Sequence, residues 1–382
     1  MVGILDGSRL HRRMVGRYHL GWAGRNGAEG PGHQGGLGML RVAILGAGFM
    51  GSTHARAFHS RDDVTVATIY AHSDRRAGPL ADEIGASWTD DLARAVTDPA
   101  TDAVSICLPT PDHRFATEVA LDAGKHVLLE KPIALTDEDA AALVDRAEAT
   151  DRVLMVAHVL RFWPEYVAIA NLADAGELGD LRSAVAIRRQ SFPRWTTLLT
   201  NGELTGGAVV DMMIHDFDML SWLFGPPSAV TARGYRNPRS GGWDQVQVIL
   251  DYADGRSAVV DGGMMMPDSY PFSSELHLLG SGGAAEFRFR SEGPDIDGGP
   301  GRNDLWLFPA DGPASQLTAP GGNAYELEIG YFVDCIAHGR PADRATPRDA
   351  RLALQVALAA ARSLDHGGQP EPVAELLAAG RA

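Results

Sequence analysis

Two side chains that can exchange protons lie four positions apart in a segment that is otherwise predicted to be a buried helix. They are Asp211 and His215, within GGAVVDMMIHDFDMLSWLFG, residues 206–225. Residues four apart project from one face of a helix. A carboxylate and an imidazole cost free energy on burial unless something pairs with them. An imidazole ordinarily titrates near neutral pH, so His215 is expected to accept and return a proton, while Asp211 either fixes that imidazole or binds a hydroxyl group.

Lys131 is the third residue whose side chain could take part in a reaction. It follows the apolar strand HVLLE (126–130) in the sequence EKP. Ligands of α/β sheets bind at the carboxyl ends of the strands. A lysine there stabilises a developing alkoxide and orients a hydroxyl group. Together with a histidine base, it suits the oxidation of a secondary alcohol, in which a proton leaves oxygen and a hydride leaves carbon.

A glycine-rich turn supplies a site for the hydride acceptor. In GAGFMG, Gly46, Gly48 and Gly51 have the G-x-G-x-x-G spacing, with Phe49 and Met50 between them. The turn follows a strand and opens a helix, which is the context that makes this pattern informative. The three glycines permit the tight turn, the approach of a pyrophosphate and close helix–strand packing, and the helix N-terminus favours phosphate. The sequence therefore predicts dinucleotide binding.

The second strand bears on which nicotinamide cofactor is bound. NAD-binding units usually place an acid about 20 residues after the glycines, where it holds the ribose 2′-hydroxyl. Here the strand ends at Tyr70 and runs into Ala71-His72-Ser73, without an acid. Ser73 and Arg75 are placed to contact a 2′-phosphate, although Arg75 is equally consistent with a solvated arginine. The cofactor is predicted to be NAD(P), with a slight preference for NADP.

The order of the elements predicts the fold. Strands and helices alternate from Arg41 to about residue 159, which indicates βαβ units and a parallel sheet. Strand-like segments then follow one another, with a hairpin signal at Asp254-Gly255, and indicate antiparallel pairing. The predicted fold is α/β: an N-terminal Rossmann dinucleotide-binding domain followed by an α+β domain with a large, mostly antiparallel open sheet.

The predicted boundaries divide the chain into four parts. The Rossmann domain is expected at 39–158, the α+β domain at 159–345, and a C-terminal helix and tail at 346–382. Within the second domain, residues 291–323 are rich in glycine and proline and are expected to form a long loop. Residues 1–38 lack apolar periodicity and are interpreted as a disordered tail or a mis-assigned start.

Composition restricts the partners and the compartment. The 382 residues carry a formal net charge of −15, which disfavours nucleic acid as a partner because phosphate backbones need clustered lysine and arginine. No apolar run reaches the roughly 18 residues of a membrane span. Cys107 and Cys335 lack the spacing of a zinc site and are interpreted as reduced, buried thiols. These observations predict a cytoplasmic protein without nucleic acid or membrane partners.

Four motifs in order resemble the Gfo/Idh/MocA oxidoreductases, the family of glucose–fructose oxidoreductase and inositol dehydrogenase. They are GAGFMG, LPTPDHR (108–114), AGKHVLLEKP (123–132), and GG followed by Asp211, His215 and Asp218. The resemblance extends from about Leu40 to the C-terminal helices. IHDFD in particular is similar to the inositol dehydrogenase branch.

The resemblance implies a set of site residues. The family's lysine and Asp/His pair correspond to Lys131, Asp211 and His215 as catalytic and substrate-binding residues. The cofactor pocket is expected to include Pro109, Thr110, His113, Glu130 and Lys131, besides the glycine turn, Ser73 and Arg75. Arg161, after the strand that ends near His158, suits a polyhydroxylated or acidic substrate but equally a salt bridge. Trp195 and Tyr270 are placed either to stack on a sugar or to pack in the core.

The expected activity is reversible NAD(P)-dependent oxidation of a sugar, cyclitol or related secondary alcohol. The large sheet is expected to form one wall of the site and the interface of a homo-oligomer, a dimer or tetramer. Two alternatives share the fold: a glycosidase that oxidises transiently and eliminates, and a non-catalytic cofactor and sugar sensor. Asp211, His215 and Asp218 also have a spacing that metal ligands use, but no further His or Cys cluster supports a metal, and none is predicted.

Overall fold

The computed structural model describes residues 39–194, 197–293 and 301–373. The predictions for residues 1–38, for Trp195 and for residues 374–382 fall outside these ranges. Two sheets organise the described chain, the first parallel and the second largely antiparallel. This arrangement confirms the predicted Rossmann domain followed by a larger open-sheet domain.

The first domain is built on a parallel sheet of six strands in the order β3-β2-β1-β4-β5-β6. Its strands are Leu40–Leu45 (β1), Val64–Tyr70 (β2), Ser87–Thr89 (β3), Ala103–Ile106 (β4), His126–Glu130 (β5) and Leu154–Ala157 (β6). Its helices are Phe49–His59 (α1), Asp74–Ile84 (α2), Leu92–Thr97 (α3), His113–Asp122 (α4) and Asp137–Glu148 (α5). The strands are apolar because helices cover both faces of the sheet. Their carboxyl ends present Gly46, Cys107 and Lys131 along one edge.

The second domain carries a nine-stranded sheet in the order β14-β13-β12-β11-β7-β10-β9-β8-β15. Its strands are Leu181–Ser191 (β7), Ala229–Arg236 (β8), Trp243–Asp251 (β9), Ser257–Met266 (β10), Ser273–Gly280 (β11), Gly283–Ser291 (β12), Gly301–Pro309 (β13), Ser315–Leu317 (β14) and Glu371–Pro372 (β15). Neighbouring strands are antiparallel except for the parallel pair β7 and β10. The predicted hairpin at Asp254-Gly255 is confirmed: it joins β9 to β10, and Gly255 has a φ of 87°.

Six α-helices of the described chain accompany this sheet, and they pack on the sheet, on one another or on the first domain. They are Pro164–Asp174 (α6), Gly202–Thr205 (α7), Gly207–Asp211 (α8), Ile214–Phe224 (α9), Ala324–Ala337 (α10) and Pro347–Asp365 (α11). Thr346 and Asp349 form a capping box that starts α11, at the position predicted from the sequence. None of the helices in the described ranges combines the length and apolarity that a membrane span requires.

The prediction of a long loop at 291–323 was wrong, because strands β13 and β14 lie within that range. Strand β13 pairs antiparallel with β12, and Leu305, opposite Phe287, is only 2% exposed. The alternation of polar and apolar residues in NDLWLFP is short and lies among glycine and proline residues. The sequence therefore did not indicate a strand. Pairing with the long strand β12 supplies the stability that the local sequence lacks.

The expected single helix over 206–224 is also wrong, because it is divided between α8 and α9. The amides of Met212 and Met213 both donate to the carbonyl of Ala208, at 3.0 and 2.8 Å. The Met213 bond spans five residues instead of four, so the helical register shifts at this point. Asp211 therefore ends one helix while His215 lies in the first turn of the next.

Helix α10 packs on the first domain, although the sequence assigned it to the second. The ring of Phe332 meets that of Phe58 in α1 edge-on, with centroids 6.4 Å apart. Ile329 and Val333 belong to the same buried cluster as strand β1. Beyond α10, the carbonyl of Ala345 accepts the amide of Val156 in β6 at 3.0 Å. The C-terminal segment thus ties the two domains together.

The packing of α10 predicts that Phe332→Ala destabilises the protein by about 3–5 kcal/mol, because a fully buried ring leaves a cavity. Denaturant unfolding followed by circular dichroism measures this free energy. Phe115→Ala is the matched control, since Phe115 is 63% exposed and its loss is expected to cost at most about 0.5 kcal/mol. Equal effects of the two substitutions would contradict the packing of α10.

Candidate active site

The glycine turn fits a dinucleotide pyrophosphate. Gly46 has a φ of 110°, and a Cβ there would lie 2.4 Å from the carbonyl oxygen of Cys107. A Cβ on Gly51 would lie 1.9 Å from the carbonyl oxygen of Gly46, whereas one on Gly48 would meet nothing within 4 Å. The fold itself therefore requires the first and third glycines, and the second leaves open space above the N-terminus of α1. That space and the first-turn amides suit a bound phosphate.

The edge beside the glycine turn carries the other residues predicted to contact the cofactor. Ser73 and Arg75 are exposed at the start of α2. Among the residues that the structure describes, Arg75 makes no ion pair, so its charge is available. Pro109 is exposed and Thr110 begins a one-turn 3-10 helix after β4. These four residues lie at the carboxyl edge, where a nucleotide would extend.

Lys131 and Asp211 meet across the two domains. The ammonium of Lys131 donates to the carbonyl oxygen of Asp211 at 2.6 Å and to its carboxylate Oδ1 at 3.2 Å. Lys131 follows β5, and its peptide bond with Pro132 is cis. Asp211 is the last residue of α8, where carbonyls lack a partner within the helix. The two predicted residues are therefore brought together, with the lysine side chain 15% exposed at the edge of the sheet.

His215 is held as a neutral imidazole. Burial is the largest cause of a pKa well below its usual 6.5, and the positive charges of Lys131 and Arg188 lower it further. Its Nδ1 atom is buried and has no hydrogen-bond partner among the described residues, so Asp211 does not fix the ring. A neutral imidazole beside an ammonium can accept a proton from a hydroxyl group that the ammonium polarises.

Two residues expected to contact the cofactor face the interior instead. Glu130 is 5% exposed, and its carboxylate accepts the amide of Lys131 at 3.1 Å. His113 is 1% exposed, with its ring nitrogens 2.8 and 2.9 Å from the carbonyl oxygens of Pro132 and Leu108. Both side chains point inward because the chain turns sharply after β4 and β5 and leaves backbone groups to be bonded. Their hydrogen bonds stabilise the loops at the carboxyl edge of the first sheet.

Arg161 makes the salt bridge that the sequence left as one of two alternatives. Its guanidinium donates to both carboxylate oxygens of Asp218, at 2.8 and 2.9 Å, and lies 3.4 Å from Asp349. Arg161 is 3% exposed, which leaves no surface for a substrate. Asp218 is engaged by this pair, and Asp211 contacts Lys131 through its Oδ1. His158 lies beside them, with its Nδ1 3.8 Å from Asp218.

Sequence reasoning missed a second buried ion pair in the site. Arg188 of β7 donates to both carboxylate oxygens of Asp216, at 2.8 and 3.0 Å, and to the hydroxyl of Tyr166 at 3.4 Å. Its charge is one of those that lower the pKa of His215. The only sequence signal is the period of β7, which places Arg188 on the buried face with Ala184 and Ala186. A buried arginine in such a pattern indicates a partner carboxylate.

The remaining candidate residues differ in their exposure. Tyr270 is half-buried beneath the guanidinium of Arg290, 5.5 Å from the ring centroid. Cys335 is buried as predicted, whereas Cys107 is only half-buried; both are free thiols.

Family models match both domains of the chain. A model described as an oxidoreductase family with an NAD-binding Rossmann fold matches residues 40–158, and the GFO/IDH/MocA C-terminal domain matches residues 166–286. The chain belongs to the Gfo/Idh/MocA oxidoreductase family. The fold and the resemblance predicted from the sequence are thereby confirmed, as is the assignment to the oxidoreductases.

Curated members of this family include dehydrogenases named for cyclitols and sugars. Inositol 2-dehydrogenase of Rhizobium meliloti is 32% identical over 253 residues, covering 64% of this chain and 74% of its own. The scyllo-inositol 2-dehydrogenase (NAD(+)) of Bacillus subtilis is 26% identical over 342 residues, covering 86% and 95%. D-glucoside 3-dehydrogenase of Escherichia coli is 33% identical over 201 residues, covering 51% and 57%.

Solved structures of other proteins share the fold. Levoglucosan dehydrogenase in complex with NADH superposes with a TM-score of 0.76 at 22% identity, covering 88% of this chain and 100% of its own. Aldose-aldose oxidoreductase from Caulobacter crescentus gives a TM-score of 0.75 at 22% identity, covering 87% and 99%.

The glycine geometry predicts different outcomes for single added methyl groups. Gly48→Ala is expected to leave the unfolding free energy unchanged but to weaken NAD+ binding by about tenfold or more, because its Cβ enters the space for the pyrophosphate. Isothermal titration calorimetry with NAD+ measures the affinity. Gly78→Ala in α2 is the control, since its nearest contact is 4.0 Å away, and it should bind NAD+ normally. Unchanged NAD+ affinity of Gly48→Ala would contradict the assigned phosphate site.

Proposed function

We propose that this protein oxidises a secondary alcohol of a cyclitol or sugar, reversibly, with a nicotinamide dinucleotide as hydride acceptor. The observation that carries the proposal is the contact of the Lys131 ammonium with Asp211 at the sheet edge, close enough to a neutral His215 to lower its pKa. The inositol and glucoside dehydrogenases among its relatives support the substrate class.

The residues divide the work of alcohol oxidation. Lys131 donates a hydrogen bond to the substrate oxygen and stabilises the negative charge that develops there. His215 takes the hydroxyl proton as the C–O bond becomes a carbonyl, and returns it in reduction. A nicotinamide dinucleotide held at the glycine turn of Gly46, Gly48 and Gly51 would supply the acceptor for the hydride of the carbinol carbon. Asp211 holds Lys131 through two oxygens, and we assign it this positioning role instead of fixing His215.

The finer cofactor preference also belongs to the proposal. The family's NAD-binding fold supports a nicotinamide dinucleotide, and we propose a slight preference for NADP. The support is the missing acid after Tyr70 and the exposed Ser73 and Arg75, which suit a 2′-phosphate.

We further propose a cytoplasmic homo-oligomer, a dimer or tetramer, that associates through the large sheet. Four exposed apolar side chains lie on neighbouring strands β9, β10, β7 and β11 of its outer face. They are Ile249, Val259, Val185 and Leu279, which are between 37% and 48% exposed. A contiguous apolar surface of this kind is typical of an interface between subunits.

A panel of inositols, sugars and glycosides tests the activity, with NAD+ and NADP+ assayed separately by the absorbance of the reduced nicotinamide. We expect turnover of at least one cyclitol or sugar, and a loss in kcat of roughly 10²–10⁴-fold in His215→Ala, because a general base is removed. NAD+ affinity should be unchanged in that variant. Tight cofactor binding without turnover would indicate a sensor, and glycoside hydrolysis without net reduced cofactor would indicate the glycosidase alternative.

The lowered pKa of His215 predicts how the rate depends on pH. An imidazole with a lowered pKa stays neutral as the pH falls through its usual 6.5, so kcat/KM for oxidation should persist at pH 6.5 and fall only in more acidic buffer. Lys131→Met removes a charge that lowers this pKa. The residual activity of this variant should therefore begin to fall at a higher pH than that of the wild type as the buffer is made more acidic. Steady-state rates from pH 5 to 9, with circular dichroism to confirm folding, measure both. An acid limb above pH 6.5 in the wild type would contradict the assignment.

A further inference from the structure

A buried polar cluster lies directly behind the catalytic lysine and is not used by the proposed reaction. His54 of α1, Ser105 of β4 and Glu130 of β5 are 0%, 0% and 5% exposed. Helix α10 adds Glu328, which is also 0% exposed. Four elements that are distant in sequence thus bring ionisable or polar side chains together in the core. Such burial is costly unless the groups pair with one another.

His54 bridges the strand β4 to the strand β5. Its Nδ1 lies 2.8 Å from the hydroxyl of Ser105 and 3.5 Å from the Sγ of Cys107. Its Nε2 forms an ion pair with the Oε1 of Glu130 at 3.0 Å. Burial by itself lowers the pKa of His54, but Cys107 and Glu130 together raise it well above the usual value. The imidazole is therefore cationic beside the Glu130 carboxylate.

Glu328 completes the charge balance without adding a second anion. Burial is the main cause of a pKa of Glu328 well above its usual value; the nearby His54 lowers that pKa, and the nearby Glu130 raises it. Neither oxygen of Glu328 has a hydrogen-bond partner within the described part of the chain. A neutral carboxylic acid is the form that burial without a partner favours.

The cluster ends at the backbone of Lys131. The Oε2 of Glu130 accepts the amide of Lys131 at 3.1 Å, while Oε1 faces His54. One carboxylate thus lies against the imidazole on one side and accepts the backbone amide of Lys131 on the other. Hydrogen bonds to a charged acceptor are stronger than neutral ones. If His54 lost its ring nitrogens, the Glu130 carboxylate would lose its contact with the imidazole and keep the Lys131 amide as its hydrogen-bond donor, and a buried carboxylate with so little compensation would protonate or move.

We propose that His54 is a positioning residue for the reaction, acting through Glu130 to fix the backbone from which Lys131 reaches Asp211. The kinetic consequence rests on the proposed function, whereas the positioning itself does not. His54 touches neither substrate nor the reacting atoms. His54 helps to fix the position of the Lys131 backbone, whereas Asp211 fixes the position of the Lys131 ammonium.

The first test is amide hydrogen exchange at Lys131, measured by mass spectrometry with fragmentation on the full chain. His54→Phe keeps a ring but removes both nitrogens, and exchange at Lys131 is expected to accelerate about tenfold or more. His54→Gln keeps a donor and an acceptor and should restore exchange to within about threefold. His126→Phe is the matched control, because His126 lies at the opposite end of β5, where it accepts the amide of Val153 at 2.9 Å.

The second test is kinetic. His54→Phe should lower kcat by about tenfold or more while the dissociation constant of NAD+ changes by less than about threefold. His54→Phe combined with Glu130→Gln should be no worse than Glu130→Gln alone, because both act through one carboxylate. His126→Phe should leave kcat unchanged.

The outcomes separate the two proposals. Unaltered exchange at Lys131 in folded His54→Phe overturns the positioning role, whatever the activity. Faster exchange in a protein that oxidises no polyol supports the positioning and contradicts only the proposed function. If His54→Phe does not fold, Glu130→Gln replaces it: its neutral acceptor should accelerate exchange at Lys131 several-fold, and unaltered exchange there overturns the proposal.

Discussion

The contact between Lys131 and Asp211 is the constraint on which the rest of the site depends. It joins the carboxyl end of β5 in the first domain to the end of α8 in the second, 80 residues away. The contact exists because the helix breaks after Asp211. A continuous helix would direct that carbonyl to an amide four residues later. The break releases it to the lysine and turns His215 onto a separate helix.

Buried charges around this contact determine the protonation state of the base. Arg161 and Arg188 are paired with Asp218 and Asp216, and Arg188 is one of the cations that lower the pKa of His215. With Lys131 beside it as well, the imidazole remains neutral. Opposite charges hold the structure together, while the cations nearest to His215 favour its base form. Stability and reactivity thus arise from the same ion pairs.

Features that depend on local spacing could be predicted from the sequence, whereas contacts between residues that are distant in the sequence could not. The glycine turn and EKP depend on spacing within a few residues, and the structure places them at the carboxyl ends of strands β1 and β5. The Asp211–His215 pair was also predicted from spacing, but the structure divides it between two helices. The inward positions of Glu130 and His113 were missed, since a motif names a residue without showing the direction of its side chain. Arg188 with Asp216, and His54 with Glu130, pair residues that are 28 and 76 positions apart, and only the assembled fold shows such pairs. The helix break at Met212 depends on packing that propensity does not encode.

Transfer of isotope from substrate to cofactor tests the central claim most directly. The protein would be incubated with NAD+ and, separately, NADP+, and with a polyol from the panel that carries deuterium at its carbinol carbons. Mass spectrometry of the recovered nicotinamide then detects the label. The account predicts deuterium in the reduced cofactor with the wild-type protein, and almost none with His215→Ala. Reduced cofactor without deuterium, or equal labelling by the His215→Ala variant, would contradict it.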